Sequence, residues 1–351
     1  MRTLRGAVIG AGGIARQSHL PAFRALHREG DPITIVALVD PAHAGQEFDG
    51  IPVVATREEL GRFGPIDFVD ICTPSATHLD LVIWSLRQGY HVVCEKPVAL
   101  SLDEAEQIAR AARQAGRVVL PCHQHRFNPA WRQLSSWVAS GAIGRWHLAE
   151  FDVYRPAADA GLGSGAVPWR GRSAVSRGGV LLDHGTHLLY LLTDLAGMPD
   201  SVQAWTGRLL HAEYDVEDSA QLLLEFGQRA GRLFLSWAGS ARENRIRFVG
   251  DGGLAEWKGG ELRLETPSRR ESLDFTAALD KAAYAGWFGA LFREFVAAVD
   301  RGEIERHLDD VRRVAELLSV SYRSANEGRR LPFGAERTES LPPVDRLARV
   351  V

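Results

Sequence analysis

Residues 4–15 read LRGAVIGAGGIA, and the pattern of apolar residues and glycines in this stretch indicates the fold of the first part of the chain. An apolar run ends at Gly10, after which Gly10, Gly12 and Ala15 follow the spacing G-x-G-x-x-A into a segment of helical periodicity. Glycine at these positions permits a tight turn and lets a ligand approach the backbone closely. The stretch therefore predicts a strand–turn–helix unit whose helix N-terminus can receive an anionic group.

Strand-like and helix-like segments alternate from this turn to about residue 121. A helical segment that begins with Ser101 and Glu104, in the spacing of a capping box, is one example. Such alternation indicates βαβ units and a parallel sheet. We expect residues 1–122 to form an α/β Rossmann domain with a doubly wound parallel sheet that binds a dinucleotide. The predicted strands are LRGAVIG, ITIVALVD, DFVDICTP, GYHVVCEKP and GRVVLPC.

The pattern changes after residue 122 to longer runs of alternating polarity joined by Gly, Asn and Asp. These runs predict a large, mostly antiparallel open sheet. Because a chain of 351 residues exceeds the size of about 250–300 residues at which single cores stop growing, we expect residues 123–351 to form a second, α+β domain. Helices are predicted at 129–140, 180–196, 283–300 and 308–327, a glycine-rich lid at 155–179, and a tail without periodicity at 334–351.

The composition favours a small-molecule partner. Lys and Arg number 41 and Asp and Glu 44, so the net charge is -3 and gives no support to a nucleic-acid or membrane-surface partner. Cys72, Cys94 and Cys122 lie in or beside apolar runs without the spacing of a disulfide framework or a zinc site. No export signal or bilayer-spanning run is recognisable. We therefore expect a cytoplasmic protein with no metal.

An acidic residue accompanies the glycine turn at the expected distance. Asp40 closes the run ITIVALVD, where its carboxylate can accept hydrogen bonds from the adenosine ribose and repel a 2'-phosphate. NAD is therefore expected rather than NADP. The alternative is that Asp40 only caps the turn that begins at Pro41.

Several motifs in fixed order resemble the Gfo/Idh/MocA family of glucose-fructose oxidoreductase and inositol dehydrogenase. They are TPSATH (73–78), EKPVAL (95–100), RFNP (126–129), GAIG (141–144), PWR (168–170), GGVLLDHGTH (178–187) and DVEDSA (215–220). The resemblance implies a Rossmann domain, a second domain with an open sheet, and dehydrogenation of a sugar or cyclitol. The glycine turn and the resemblance together give an expected cofactor-binding set of Gly10, Gly12, Gly13, Ile14, Ala15, Asp40, Thr73, Pro74, His78, Glu95, Lys96, Trp169 and Arg170.

The expected catalytic residues are Lys96, Asp183 and His187. Removal of a hydride from a secondary alcohol requires a base for the hydroxyl proton, and imidazole suits that role near neutral pH. Asp183 and His187 are four residues apart and share one face of a helix, so His187 can accept the proton while Asp183 orients the ring or the substrate. Lys96, expected at the end of a parallel strand, can polarise the substrate oxygen or share the base role. The alternative is a buried Asp183–His187 pair without catalytic role.

The expected substrate-binding set adds three residues to these. His184 stands where the family often has an apolar residue, so whether it faces the pocket or the sheet is left open. Arg126 and Arg170 can grip an anionic substrate or form an ion pair, and Tyr190 suits core packing better than the cleft. A zinc site of His123, His125 and His187 is an alternative to which we give little weight, because hydride transfer needs no metal.

The sequence thus predicts an NAD-dependent dehydrogenase of a sugar, cyclitol or related polyol. Two alternatives stay open: a lyase or glycosidase that uses NAD without net redox change, and a sensor that binds NAD without turnover. We also expect a homodimer or homotetramer through the open face of the second sheet, with Trp205, Phe234 and Trp237 as candidate contacts.

Overall fold

The computed structural model describes residues 2–159, 167–280 and 283–334. The chain divides into two compact units, one from the described parts of residues 1–99, 103–124 and 281–312, the other from those of 100–102, 125–280 and 313–351. Residues 160–166 of the predicted lid and 335–351 of the predicted tail lie outside the described residues.

The first unit is built on a seven-stranded sheet that begins with the quoted stretch. The sheet order is β3-β4-β2-β1-β5-β6-β7, and all pairs are parallel except β3 with β4. The direction of strand order reverses at β1, which is where open α/β sheets bind ligands. The strands are β1 (Leu4–Ile9), β2 (Ile33–Val39), β3 (Glu47–Phe48), β4 (Ile51–Val54), β5 (Phe68–Ile71), β6 (His91–Cys94) and β7 (Val119–Pro121).

In the described part of the chain, four helices lie in this unit apart from the first turns of a helix that both units share, and the fourth comes from far along the chain. They are α1 (Leu20–Glu29), α2 (His78–Arg87), α3 (Leu102–Ala115) and α7 (Tyr284–Arg301). A π-helical segment, Ala15–His19, directly precedes α1. Phe292 of α7 stacks on Phe23 of α1 at a centroid distance of 3.9 Å, and Phe295 lies 5.2 Å from Phe68 of β5. These aromatic contacts place residues 281–312 with the first unit, whereas a division at residue 122 assigns them to the second domain.

The second unit is a nine-stranded sheet with helices on one face. Its order is β15-β14-β13-β12-β8-β11-β10-β9-β16, and only β8 with β11 is parallel. Alternate residues of β10 are buried, as expected for a sheet with one face on the core. The strands are β8 (Trp146–Tyr154), β9 (Ser201–Gly207), β10 (Ser219–Phe226), β11 (Arg229–Ser236), β12 (Glu243–Gly250), β13 (Gly253–Lys258), β14 (Glu261–Glu265), β15 (Arg270–Asp274) and β16 (Leu331–Pro332).

The helices of this unit cover the buried face. They are α4 (Pro129–Ala139), α5 (Ser173–Ser176), α6 (Thr186–Ala196) and most of α8 (Glu305–Glu327). A second π-helical segment, Leu181–Gly185, directly precedes α6. Leucines from the π segment and α6 pack in a core with β10 and β11. Trp237 is wholly buried in the same core. The prediction that Trp237 lies on the open face of this sheet is therefore wrong. Trp205, in contrast, is exposed on that face.

The expected fold class is confirmed. All five strands predicted for the first domain are present, and the second sheet is mostly antiparallel. In the described part of the chain, no helix is both long enough and apolar enough to cross a membrane.

Candidate active site

The glycine turn has the geometry that a close backbone approach requires. Gly10 has φ +97°, and a Cβ there would lie 2.9 Å from the Cys72 carbonyl oxygen. At Gly12, by contrast, a Cβ would meet no atom within 4 Å. The space beside Gly12 is therefore open, and the helix that follows presents its N-terminus to it, which fits a bound pyrophosphate. Gly13, Ile14 and Ala15 form the start of that helix.

Asp40 binds the backbone of the glycine turn and also caps the turn that begins at Pro41. One carboxylate oxygen accepts a hydrogen bond from the Ala11 amide at 2.8 Å, and the other accepts one from the Ala42 amide at 2.9 Å. Asp40 thus caps the turn at Pro41, as the alternative interpretation of this residue predicted. This capping does not compete with a role toward a ribose, because each carboxylate oxygen has a second lone pair.

The loops that follow β5 and β6 are tied together by His78. Its Nδ1 lies 2.8 Å from the Pro97 carbonyl oxygen and its Nε2 lies 2.8 Å from the Thr73 carbonyl oxygen. Thr77 adds a hydrogen bond to the Pro74 carbonyl oxygen at 2.8 Å. Because both ring nitrogens of His78 bind backbone, this buried ring supports the expected cofactor loop from within.

Lys96 is the second residue after β6, with Glu95 before it and a cis peptide bond to Pro97 after it. One oxygen of Glu95 accepts a hydrogen bond from the Lys96 amide at 3.2 Å, and the other lies 3.0 Å from Nε2 of His19. The Nδ1 of His19 lies 2.7 Å from Asp70. The sequence analysis missed His19 and Asp70. The signal it passed over was a lone charge inside the apolar run of β5.

In the second unit, Asp183 and His184 lie in the π-helical segment and His187 in the first turn of α6. The carboxylate of Asp183 lies 3.4 Å from Nε of Arg170 and 3.9 Å from Nε2 of His184. His184 also contacts the edge of Trp237, at a centroid distance of 6.4 Å. Its side chain is one-quarter exposed, so it borders the sheet without being enclosed by it.

His187 has an imidazole neighbour rather than a metal-like arrangement. Its ring packs against that of His125, with centroids 4.1 Å apart and planes tilted by 35°. The contact between His125 and His187 is therefore typical of ring packing.

The two arginines differ in their partners. Arg126 donates a hydrogen bond to the Tyr190 hydroxyl at 3.0 Å, and the ring of Tyr190 is buried in the core. Arg170 lies over the ring of Trp169 and donates to the Asp159 carbonyl oxygen at 3.0 Å. Arg170 thus meets Asp183 directly, and Arg126 reaches this region through Tyr190.

A buried carboxylate that the sequence analysis did not single out fixes the segment that carries Asp183. One oxygen of Glu217 accepts hydrogen bonds from the amides of Gly179 and Leu181 at 3.0 and 3.1 Å, and from the Tyr322 hydroxyl at 2.7 Å. A Cβ at Gly179 would lie 1.9 Å from the Glu217 carbonyl oxygen, so only glycine fits. Burial raises the pKa of Glu217, although these hydrogen bonds oppose the shift.

Two family models cover more than half of the chain. Residues 4–123 match the model described as "Oxidoreductase family, NAD-binding Rossmann fold", and residues 131–256 match the "GFO/IDH/MocA C-terminal domain". The two matched segments contain the glycine turn and the Asp183–His187 pair, respectively.

Similar proteins include two dehydrogenases. The chain is 29% identical over 273 residues to D-glucoside 3-dehydrogenase of Escherichia coli (strain K12), which is 71% of this chain and 75% of that protein. It is 27% identical over 364 residues to D-apiose dehydrogenase of Paraburkholderia graminis, covering 97% and 92%. The crystal structure of GenD2 from gentamicin A biosynthesis in complex with NAD superposes with a TM-score of 0.79 at 25% identity, covering 95% of this chain and 97% of that one.

Proposed function

The chain belongs to the Gfo/Idh/MocA family of NAD-binding oxidoreductases, and from that premise we propose an NAD-dependent dehydrogenase of a sugar, cyclitol or related polyol. The observation that carries the proposal is the ion pair of Asp183 with Arg170 directly before α6, whose first turn carries His187, in a chain that also carries Lys96 after β6. A protein that only senses NAD has no need for an amine, a carboxylate and an imidazole together.

NAD, when bound, supplies the acceptor for the hydride. His187 accepts the proton of the reacting hydroxyl, since neutral imidazole is a base near neutral pH. Asp183 binds a neighbouring hydroxyl of the substrate, and Arg170 holds that carboxylate in place. Lys96 donates a hydrogen bond to the reacting oxygen and stabilises the charge that develops there. His184 and Arg126 complete the proposed substrate-binding set.

NAD rather than NADP is the proposed cofactor. Asp40 is negatively charged and stands at the end of β2, beside the glycine turn. A 2'-phosphate at this position would meet the carboxylate at short range, whereas ribose hydroxyls can donate to it. Thr73, Pro74, Glu95 and Trp169 remain proposed cofactor contacts.

The test is a panel of sugars, cyclitols and sugar acids assayed with NAD and with NADP, following formation of the reduced cofactor. We expect NADH formation with one member, and a loss of kcat by roughly 10²–10⁴ in both Lys96→Ala and His187→Ala. His147→Ala, at an exposed position of β8, is the control and keeps full activity. Unchanged turnover in both active-site variants would contradict the assigned roles.

Conversion of a substrate without accumulation of NADH would favour the mechanism without net redox change. Binding of NAD without conversion of any substrate would favour the sensor. Both outcomes are distinguished by measuring substrate loss and NADH in the same reaction.

A homodimer or homotetramer through the open face of the second sheet is also proposed. Trp205 and Leu223 are exposed on that face at 40% and 44%, which is high for large apolar side chains. Sedimentation of the wild-type protein and of Trp205→Glu tests this: the variant should shift toward monomer. The three cysteines are unpaired, which supports a reducing compartment such as the cytoplasm.

A further inference from the structure

His19 is enclosed between two carboxylates in the first unit. Its side chain has no exposed area, Nδ1 lies 2.7 Å from Asp70 and Nε2 lies 3.0 Å from Glu95. Asp70 belongs to β5, and Glu95 follows β6. The His19 ring therefore connects the π-helical segment after the glycine turn to β5 and to the residue that follows β6.

This geometry favours the charged form of the ring, because a neutral ring would require that Asp70 or Glu95 be protonated. A carboxylate only accepts hydrogen bonds, so a ring that faces one at each nitrogen must donate from both, and only the imidazolium can do so. Burial lowers the pKa of His19, but Asp70 and Cys72 outweigh it, and the net result is a pKa well above the usual value. For Glu95, burial raises the pKa, and His19 then Lys96 bring it below its usual value.

Among the described residues, the remaining contacts of the ring are with two thiols and two aromatic rings and include no cation. Cys72 Sγ lies 3.3 Å from Nδ1, and Cys122 lies in the same cluster; burial raises the pKa of both thiols, so they are uncharged. From α7, the rings of Phe288 and Phe292 lie 4.1 and 5.5 Å from the imidazole. The imidazolium is therefore the balancing charge for Asp70 and Glu95.

Glu95 connects His19 to the proposed catalytic lysine, Lys96. Its first oxygen is held by His19, and its second accepts the amide hydrogen of Lys96 at 3.2 Å. Without a cation at position 19, two carboxylates would share a buried space, and one of them would take up a proton.

We propose that His19 is a positioning residue that remains an imidazolium at neutral pH, keeps Glu95 ionised, and through Glu95 fixes the backbone and the charge environment of Lys96. The effect on catalysis rests on the proposed function of Lys96. The ionisation state of His19 does not, and it can be measured on the protein without substrate.

A metal ion in the same place is the competing explanation. His19, Asp70 and Cys122 offer ligand atoms within 4.8 Å of one another. However, two ligands of one tetrahedral zinc stand roughly 3.3 Å apart, given bonds of about 2.0–2.1 Å. The separation of 2.7 Å between His19 and Asp70 fits a hydrogen bond instead. Elemental analysis that finds stoichiometric metal, lost in His19→Gln, would overturn the proposal.

The first experiment is nitrogen NMR of the whole protein labelled at histidine, with His19 identified by its contacts to the rings of Phe288 and Phe292. We expect both ring nitrogens of His19 to carry protons at pH 7 and at pH 8, and the signals of the exposed His27 serve as an internal reference. A neutral His19 at pH 7 would overturn the proposal, and no variant needs to fold for this result.

The second experiment is a double-mutant cycle on kcat/KM with His19→Gln and Glu95→Gln. Glu95→Gln removes the carboxylate charge beside Lys96, and His19→Gln removes it when Glu95 takes up the proton. Both single variants should therefore shift the limb of the pH profile that depends on the Lys96 ammonium to lower pH by about one unit, and the double variant should shift it no further. His27→Gln is the matched control and leaves the profile unchanged. A loss of rate with an unshifted profile in His19→Gln would mean that His19 is merely structural. If no substrate is found, the proposed function fails while the NMR result still decides the ionisation.

Discussion

At the scale of single residues, the two glycines of the turn have separable roles. Gly10→Ala would force a side chain into φ +97° and against the Cys72 carbonyl, so we expect a loss of about 1–3 kcal/mol in unfolding free energy. Gly12→Ala meets no atom, so its stability should match the wild type while its affinity for NAD falls. Chemical denaturation and calorimetric titration measure the two effects. Equal NAD affinity in Gly12→Ala and wild type would show that the space beside Gly12 is not used.

His91 gives the fold a pH dependence of known sign. Its Nδ1 accepts a hydrogen bond from the Val118 amide, and burial and then Arg117 lower its pKa to about 4. Between pH 6.5 and 4 the unfolded chain therefore binds a proton that the folded chain does not, so stability falls as the pH falls.

His91→Asn retains an acceptor but does not titrate, and it isolates this contribution. We expect the unfolding free energy of the wild type to drop between pH 7 and pH 4 by on the order of 1 kcal/mol more than that of the variant. Denaturant titrations at several pH values provide the measurement. Parallel curves for the two proteins would contradict the assignment of a depressed pKa.

At the scale of elements, the start of α6 depends on Glu217. Replacing it by alanine would leave two buried amides and the Tyr322 hydroxyl without their acceptor. We expect Glu217→Ala to lose about 2–4 kcal/mol of stability and Tyr322→Phe about 1 kcal/mol. Both variants should lower kcat/KM yet leave NAD affinity unaltered, because the glycine turn belongs to the other unit. Weaker NAD binding in either would contradict this division.

Sequence reasoning succeeded where one local pattern determined the element. A helix was predicted over residues 180–196, and these residues are helical, with Asp183 in the π-helical segment and His187 in α6. The π-helical form of Leu181–Gly185 was not foreseen, since it coincides with contacts from Glu217, which is distant in sequence. The short strands β3 and β4 were also missed, because two to four residues are too few to display a period.

At the scale of the whole molecule, the first unit is completed by a helix from near the C-terminus. Hydrophobic periodicity located α7 but could not tell which core it joins, because an apolar face fits any apolar surface. Its aromatic residues cover Phe23, Phe68 and His19. The residues expected for the cofactor were found from motifs, whereas the Asp70–His19–Glu95 set emerged only when distant strands were brought together.

A chain shortened to residues 1–124 tests this completion. It lacks α7, so we expect it to expose Phe23 and Phe68, bind a hydrophobic dye and unfold without a cooperative transition. Adding residues 281–312 as a separate peptide should restore part of the transition. A shortened chain that unfolds as sharply as the first unit of the full protein would contradict a structural need for α7.

In the proposed reaction, a hydride passes from a carbinol carbon of the substrate to NAD. The most direct measurement uses the best substrate of the panel, deuterated at that carbon, with mass spectrometry of the cofactor. We expect the deuterium to appear in NADH and the rate to fall relative to that of the unlabelled substrate. Consumption of the substrate with no deuterium in the cofactor at any time would contradict it.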